Sequence, residues 1–154
     1  MIQPRLEPPA TLRLIPDINV ILSGATSRVG PAVDLFRAAQ TFEVVFVLAE
    51  EHFTELTQVL TYPQVLRLGV RRLTPSAAFH LASVLYRCAE YYSRLDRQTW
   101  PSCPDPKDWY LLDLLMTSDA DALVTKDRHL LRAGDKLGLP IFEPKNVHWS
   151  SALT

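Results

Sequence analysis

The sequence lacks the features of membrane-spanning, secreted and strongly basic proteins. No stretch approaches the roughly 20 apolar residues of a membrane span. The N-terminal segment MIQPRLEPPATLR has three prolines and no apolar core of signal-peptide length. Lysine and arginine number 16 against 17 aspartates and glutamates, so no overall positive field attracts nucleic acid. These absences predict a cytoplasmic protein that enters no membrane, and RNA binding would require a local basic rim.

Cysteine is scarce as well. Cys88 and Cys103 form no C-x-x-C pair, and they predict reduced thiols rather than a disulfide framework. Apolar residues make up 47% of the chain and charged residues 21%, which is typical of a globular protein. The 154 residues suffice to bury about 70% of the unfolded surface without cross-links. We predict a flexible, Pro-rich lead-in over residues 1–11 and a single domain over residues 12–154.

Segments that fit strands alternate with segments that fit helices. Short apolar runs bounded by polar residues predict strands over 12–15, 42–47, 122–125 and 141–142. Apolar residues at helical spacing predict helices over 32–40, 49–60, 75–92, 107–116 and 128–133. This alternation predicts an α/β fold, a three-layer sandwich with a central, mostly parallel sheet flanked by helices.

Four acidic residues fall at predicted strand ends and helix starts. Asp17 and Asp127 directly follow strands, whereas Glu55 and Asp108 lie near the beginnings of helices. In a strand–helix–strand protein these positions share the carboxyl edge of the sheet. Carboxylates gathered there repel one another unless a cation neutralises them, and Mg²⁺ and Mn²⁺ prefer oxygen ligands. The set favours a divalent-cation site that acts on a phosphate ester.

Three of these acids also have an ordinary structural explanation, whereas Asp17 has no helix signal directly behind it. Asp127 fits the N-cap of the following helix, Asp108 fits a first helical turn, and Glu55 fits a solvated helix position. Asn19 and Thr125 fit local turn and strand roles as well as they fit the site. Four histidines have no ligand spacing and are predicted to be ordinary surface or partly buried side chains: His52, His80, His129 and His148. We predict that Arg67, Arg71 and Arg72 form a solvated patch rather than an RNA-binding track.

The ordered set resembles the motifs of the PIN domain family. The similarity covers about residues 12–144 and rests on Asp17-x-Asn19-Val20, Glu55-Leu56, Asp105-Pro106-x-Asp108 and Val124-Thr125-x-Asp127. It implies a metal-dependent endoribonuclease that cuts single-stranded RNA, such as the toxin of a toxin–antitoxin pair, with an antitoxin and a homodimer as expected partners. The resemblance further implies that Mg²⁺ or Mn²⁺ is bound by Asp17, Glu55, Asp108 and Asp127, oriented by Asn19 and Thr125.

The chain departs from the family pattern near two of these acids. Ile18 stands where the family commonly has a hydroxyl side chain, and Lys107 places a positive charge beside Asp108. Pro16 and Asp113 are further departures. They leave open an alternative function, a non-catalytic PIN-fold module that binds RNA or protein.

Two other enzyme classes fit the acids less well. An aspartyl phosphotransferase would need a second acid at the position of Asn19. A receiver-type phospho-acceptor would need a basic residue after a late strand, and Lys126 instead lies beside an acid.

Overall fold

The computed structural model describes residues 11–60 and 74–149. Residues 1–10 of the predicted lead-in and the predicted patch of Arg67, Arg71 and Arg72 lie outside these residues. The described strands are β1 Leu12–Pro16, β2 Val44–Ala49, β3 Ala89–Tyr92, β4 Ala122–Val124 and β5 Ile141–Phe142. The described helices are α1 Ile18–Thr26, α2 Pro31–Gln40, α3 Glu50–Leu60, α4 Pro75–Cys88, α5 Trp109–Ser118 and α6 Arg128–Leu137, with 3-10 turns at Pro106–Asp108 and Pro144–Asn146.

The five strands form one sheet in the order β3-β2-β1-β4-β5, and every neighbouring pair is parallel. Parallel strands require crossover connections, and the helices supply them on both faces of the sheet. The predicted α/β three-layer fold is therefore confirmed. The carboxyl ends of all five strands lie along one edge, which is where α/β proteins bind their ligands.

Alternate residues of the central strands supply two separate apolar cores. Leu14 and Phe46 face α1, α2, α3 and α4, whereas Ile15, Val47 and Leu123 face α5 and α6. All five side chains are at most 1% exposed, because helices cover both faces of the sheet. Among the described helices, none combines the length and the apolar character needed to span a membrane.

Helix α1 was not predicted. It begins directly after Asp17 and contains Ile18, Val20 and Ile21, whose β-branched side chains lower helix propensity. Tertiary packing compensates, since all three side chains are buried. Gly24 allows α2 to approach closely: a Cβ there would lie 2.7 Å from the Ala32 carbonyl oxygen.

The helix predicted to continue to residue 92 was also wrong at its end. Helix α4 stops at Cys88, and Ala89–Tyr92 form the edge strand β3 beside β2. No glycine or proline marks this boundary, and the tyrosine pair suits a strand. At the other end of the chain α6 runs beyond the predicted 133 to Leu137, where Gly138 adopts a positive φ of 69°.

Asp113 is a buried acid that organises the irregular segment before α5. It is 2% exposed, and its Oδ1 atom accepts hydrogen bonds of 3.0 Å from the Gln98 backbone N–H and 2.9 Å from Trp100 Nε1. The guanidinium of Arg97 lies 3.8 Å from the other oxygen. Asp113 therefore interrupts the apolar helix face because it anchors a segment that has no regular hydrogen bonding.

Candidate active site

The carboxyl ends of β1 and β4 bring three of the candidate residues together. Pro16 is level with Val124 in the parallel pair, so Asp17 and Thr125 follow the two strands side by side. The Thr125 hydroxyl donates a hydrogen bond of 2.8 Å to Asp17 Oδ2 and accepts one of 3.0 Å from the Asp127 N–H. Thr125 thus fixes the Asp17 carboxylate relative to the start of α6.

Asp127 is the N-cap of α6, as its place directly before the helix predicted. Its Oδ1 atom accepts a hydrogen bond of 2.8 Å from the His129 N–H. Among the described residues, no donor contacts the second oxygen, Oδ2. Capping therefore orients the carboxylate and leaves one oxygen available for a ligand.

Asp17 is an acid in an unfavourable environment for its charge. Only 7% of the residue is exposed, and burial raises the pKa of its carboxyl. The charge of Asp127 raises that pKa further, whereas the hydrogen bond from Thr125 lowers it. The Asp17 backbone is also fixed, because its N–H donates to the Val124 carbonyl at 2.9 Å. A bound cation would relieve the cost of ionising this carboxyl.

The charges of acids from several elements act on Asp108. It lies half-buried between the 3-10 turn and α5. Burial, followed by the charges of Asp17, Asp105, Asp127 and Glu55, raises the pKa of Asp108 to about 7. Carboxylates from β1, α3, the 3-10 turn and α6 therefore act on one another across this edge of the sheet.

Glu55 is held in place by a tyrosine of another helix. The Tyr110 hydroxyl in α5 donates a hydrogen bond of 2.6 Å to Glu55 Oε2. Burial and the charges of Asp17 and Asp105 raise the pKa of Glu55, while the tyrosine lowers it. Burial and the Glu55 charge raise the pKa of Tyr110, so its hydroxyl remains a donor.

His52 contacts the last residue of β2, the last residue of β1 and helix α5. Its Nδ1 atom accepts a hydrogen bond of 3.0 Å from the Ala49 N–H, so Nε2 carries the proton and donates to the Pro16 carbonyl at 2.9 Å. Its ring meets the Tyr110 ring edge-on, with centroids 5.2 Å apart. The prediction of a surface or partly buried side chain was wrong for His52, which is 2% exposed.

Sequence reasoning missed three residues of this region: Asp105, Tyr110 and His52. Asp105 could have been found, because it opens the Asp105-Pro106-x-Asp108 motif and its charge acts on Asp108 and Glu55. No local signal pairs Tyr110 with Glu55, which lies 55 residues away. These contacts depend on how α3 and α5 pack.

We predict that protonation of His52 destabilises the folded protein in acid. Burial lowers its pKa from 6.5 to about 4, so the folded state disfavours the protonated imidazole. The stabilising contribution of neutral His52 is complete above pH 6.5 and is lost as the pH falls through about 4. We expect this to reduce the free energy of unfolding by about 3 kcal/mol over that window.

Urea unfolding at several pH values checks this expectation. His52→Gln keeps an N–H donor for the Pro16 carbonyl and removes the titrating ring, so its difference from the wild-type protein isolates the histidine. His80→Gln, at an exposed position, is the matched control and should leave the pH profile unchanged. Identical acid profiles for the wild-type protein and His52→Gln would contradict the assignment.

Asn19 is the remaining residue that the sequence predicted for the site. Asn19 lies exposed in the first turn of α1, two residues after Asp17. Within residues 11–60 and 74–149, no three Asp, Glu, His or Cys side chains are grouped closely enough to ligate one ion in their present positions. The donor chemistry nevertheless fits a hard divalent cation, since all four predicted ligands are carboxylates and neighbouring charges disfavour ionisation of three of them. The assignment of these site residues remains a prediction.

A family model for the PIN domain matches residues 13–129. The chain belongs to the PIN domain family. The match spans most of the chain, and it includes all six residues that the sequence predicted for the site. No curated protein and no solved structure gives a significant match.

Membership in the PIN family assigns a general chemistry to this edge of the sheet. PIN domains are generally nucleases, and they generally use divalent metals. The resemblance inferred from the four acidic motifs is thereby confirmed at the level of the family.

Proposed function

We propose that this PIN domain is a metal-dependent endoribonuclease that hydrolyses phosphodiester bonds in single-stranded RNA. The observation that carries the proposal is the mutual influence of the acids. Burial and, after it, the charges of carboxylates from four separate elements raise the pKa of Asp108 to about 7. Such a collection of like charges is unfavourable in an isolated protein and favourable around a cation.

Asp17, Glu55, Asp108 and Asp127 are the residues that would hold Mg²⁺ or Mn²⁺. When bound there, the cation would supply charge neutralisation at the phosphate and a lowered pKa for water. Thr125 positions Asp17 through its Oδ2 atom, and Tyr110 positions Glu55 through its Oε2 atom. Each of these two carboxylates is therefore held by a fixed hydrogen-bond partner, which favours ordered ligation.

Local cations support an RNA substrate although the formal net charge of the chain is −1. Lys126 and Arg128 flank Asp127 and are exposed. Lys107 is exposed beside Asp108, and its charge lowers the pKa of Glu55. These side chains can contact the phosphates on either side of the bond that is cut.

Cleavage of single-stranded RNA with Mn²⁺ tests the function. Asp127→Asn keeps a good N-cap for α6 and removes one carboxylate, so we expect normal folding and about 100-fold slower cleavage. Asp135→Asn, on the exposed side of the same helix, should cleave normally. Excess chelator should stop the reaction. Undiminished cleavage by Asp127→Asn or in chelator would contradict the proposal, and RNA binding without cleavage would favour the non-catalytic module.

We further propose that the nuclease acts as the toxin of a toxin–antitoxin pair and forms a homodimer. The support for this narrower role is the resemblance to PIN-family toxins. Expression should then arrest growth of a bacterial host, and Asp17→Asn should remove the arrest. Growth that is unaffected by the active protein would contradict the toxin role without bearing on RNA cleavage.

A further inference from the structure

Three aromatic side chains of α3, α4 and β3 form a partly exposed cluster. Phe53 of α3 lies 6.0 Å from Tyr86 of α4 and 5.7 Å from Tyr91 of β3, and the two tyrosines are 6.1 Å apart, measured between ring centroids. Tyr86 is 66% exposed and Tyr91 is 43% exposed. Large rings that remain so exposed contribute little to the core and offer their faces to a ligand.

The register of the sheet locates this aromatic cluster relative to Asp17. Tyr91 is level with Leu48 of β2. The pairing of Leu14 with Phe46, continued by two residues, makes Leu48 level with Pro16, which immediately precedes Asp17. Two strand spacings therefore separate the backbones of Tyr91 and Pro16, a distance of about 10 Å along the carboxyl edge. A short stretch of single-stranded RNA can bridge the two places.

The groove at the cluster has the chemistry of a base site. Its volume is about 590 Å³, and Phe53, Tyr86 and Tyr91 form part of its lining. Glu50 also lines it, and a carboxylate there repels phosphate groups. On the other side of Tyr86, the exposed Arg87 lines an adjoining groove and can contact the RNA backbone. An uncharged aromatic base suits the groove itself, because every base offers a π-face for stacking.

We propose that Phe53, Tyr86 and Tyr91 bind a nucleobase of single-stranded RNA that lies beyond the two nucleotides flanking the phosphodiester that is cut. The inference rests on the proposed function and adds a subsite to it. Stacking on aromatic rings tolerates any base, so this subsite favours unpaired RNA over duplex without imposing a strict sequence.

RNA affinity, measured without cleavage, tests the subsite. All variants carry Asp17→Asn, and fluorescence anisotropy reports binding of an oligonucleotide of about eight nucleotides. We expect Tyr86→Leu with Tyr91→Leu to weaken binding at least about 10-fold. Tyr86→Phe with Tyr91→Phe keeps the rings and should retain the affinity. Phe42→Leu removes an aromatic side chain that is 62% exposed. Phe42 lies just before β2, at the amino-terminal ends of the strands, so this substitution should have no effect.

Cleavage kinetics separate this subsite from the proposed function. In the active protein the double leucine variant should cut a dinucleotide, which is too short to reach the cluster, as fast as the wild-type protein does. Its kcat/KM on the longer oligonucleotide should fall about 10-fold. Wild-type protein that cuts neither substrate would contradict the nuclease function, whereas the binding arm would still decide the subsite.

Equal RNA affinity in the double leucine variant and its parent would overturn the proposal. If a dimer also dissociates in that variant, the cluster binds a second copy of the chain instead. Tyr86→Leu alone provides a readout if the double variant folds poorly, since Tyr86 is the more exposed tyrosine.

Discussion

Asp17→Asn should lower kcat/KM for single-stranded RNA by about a thousandfold, the largest effect expected for a single substitution in this protein. Asp17 combines three features of a central ligand: it follows the middle strand β1, it is almost completely buried, and it is fixed by Thr125. Asparagine has nearly the same shape and can still accept the hydrogen bond from the Thr125 hydroxyl. The substitution therefore removes the charge and preserves the surroundings. Cleavage assays across a range of Mn²⁺ concentrations measure the effect.

Stability measurements distinguish this loss from unfolding. Burial raises the pKa of Asp17, so the ionised carboxyl destabilises the metal-free fold at neutral pH. Metal-free Asp17→Asn should consequently unfold at a urea concentration no lower than the wild-type protein requires. Asp34→Asn, exposed on α2, should leave both cleavage and stability unchanged. A nearly active Asp17→Asn protein would remove the basis for assigning this residue to the metal site.

Asp113→Ala should reduce the free energy of unfolding by about 3 kcal/mol, the largest stability loss we expect from a single polar side chain. The substitution removes an oxygen that accepts hydrogen bonds from the Gln98 N–H and from Trp100 Nε1. Trp100 is only 9% exposed, so its indole N–H would be left without an acceptor away from water. Urea unfolding monitored by tryptophan fluorescence measures the loss.

Asp113→Asn is the matched control, because its amide oxygen can accept the same two hydrogen bonds. It loses only the attraction to Arg97, whose side chain is 57% exposed and lies 3.8 Å away. Solvent screens this attraction because the Arg97 side chain is exposed, and we expect the variant to lose about 1 kcal/mol or less. Equal losses in the two variants would indicate that the charge of Asp113, rather than its hydrogen bonds, stabilises the segment.

The strands and the acidic motifs could be predicted because their signals are local. Val44, Phe46 and Leu48 belong to a short apolar run that is typical of a strand covered on both faces. Asp17 and Asp127 follow such strands, and the parallel pairing of β1 with β4 brings their positions to one edge as expected. The boundary between α4 and β3 could not be predicted, because the pairing of Ala89–Tyr92 with β2 decides it rather than any residue in the segment.

The sequence by itself determined the α/β class, the order of the acids along the chain and the family. The tertiary structure alone decided that α1 forms after Asp17, that Tyr110 holds Glu55, and that His52 links Ala49 to Pro16. It also decided that Phe53, Tyr86 and Tyr91 share one exposed surface. The physical reason is range: strand and cap signals act between neighbouring residues, whereas these contacts join distant segments that meet only when the helices pack on the sheet.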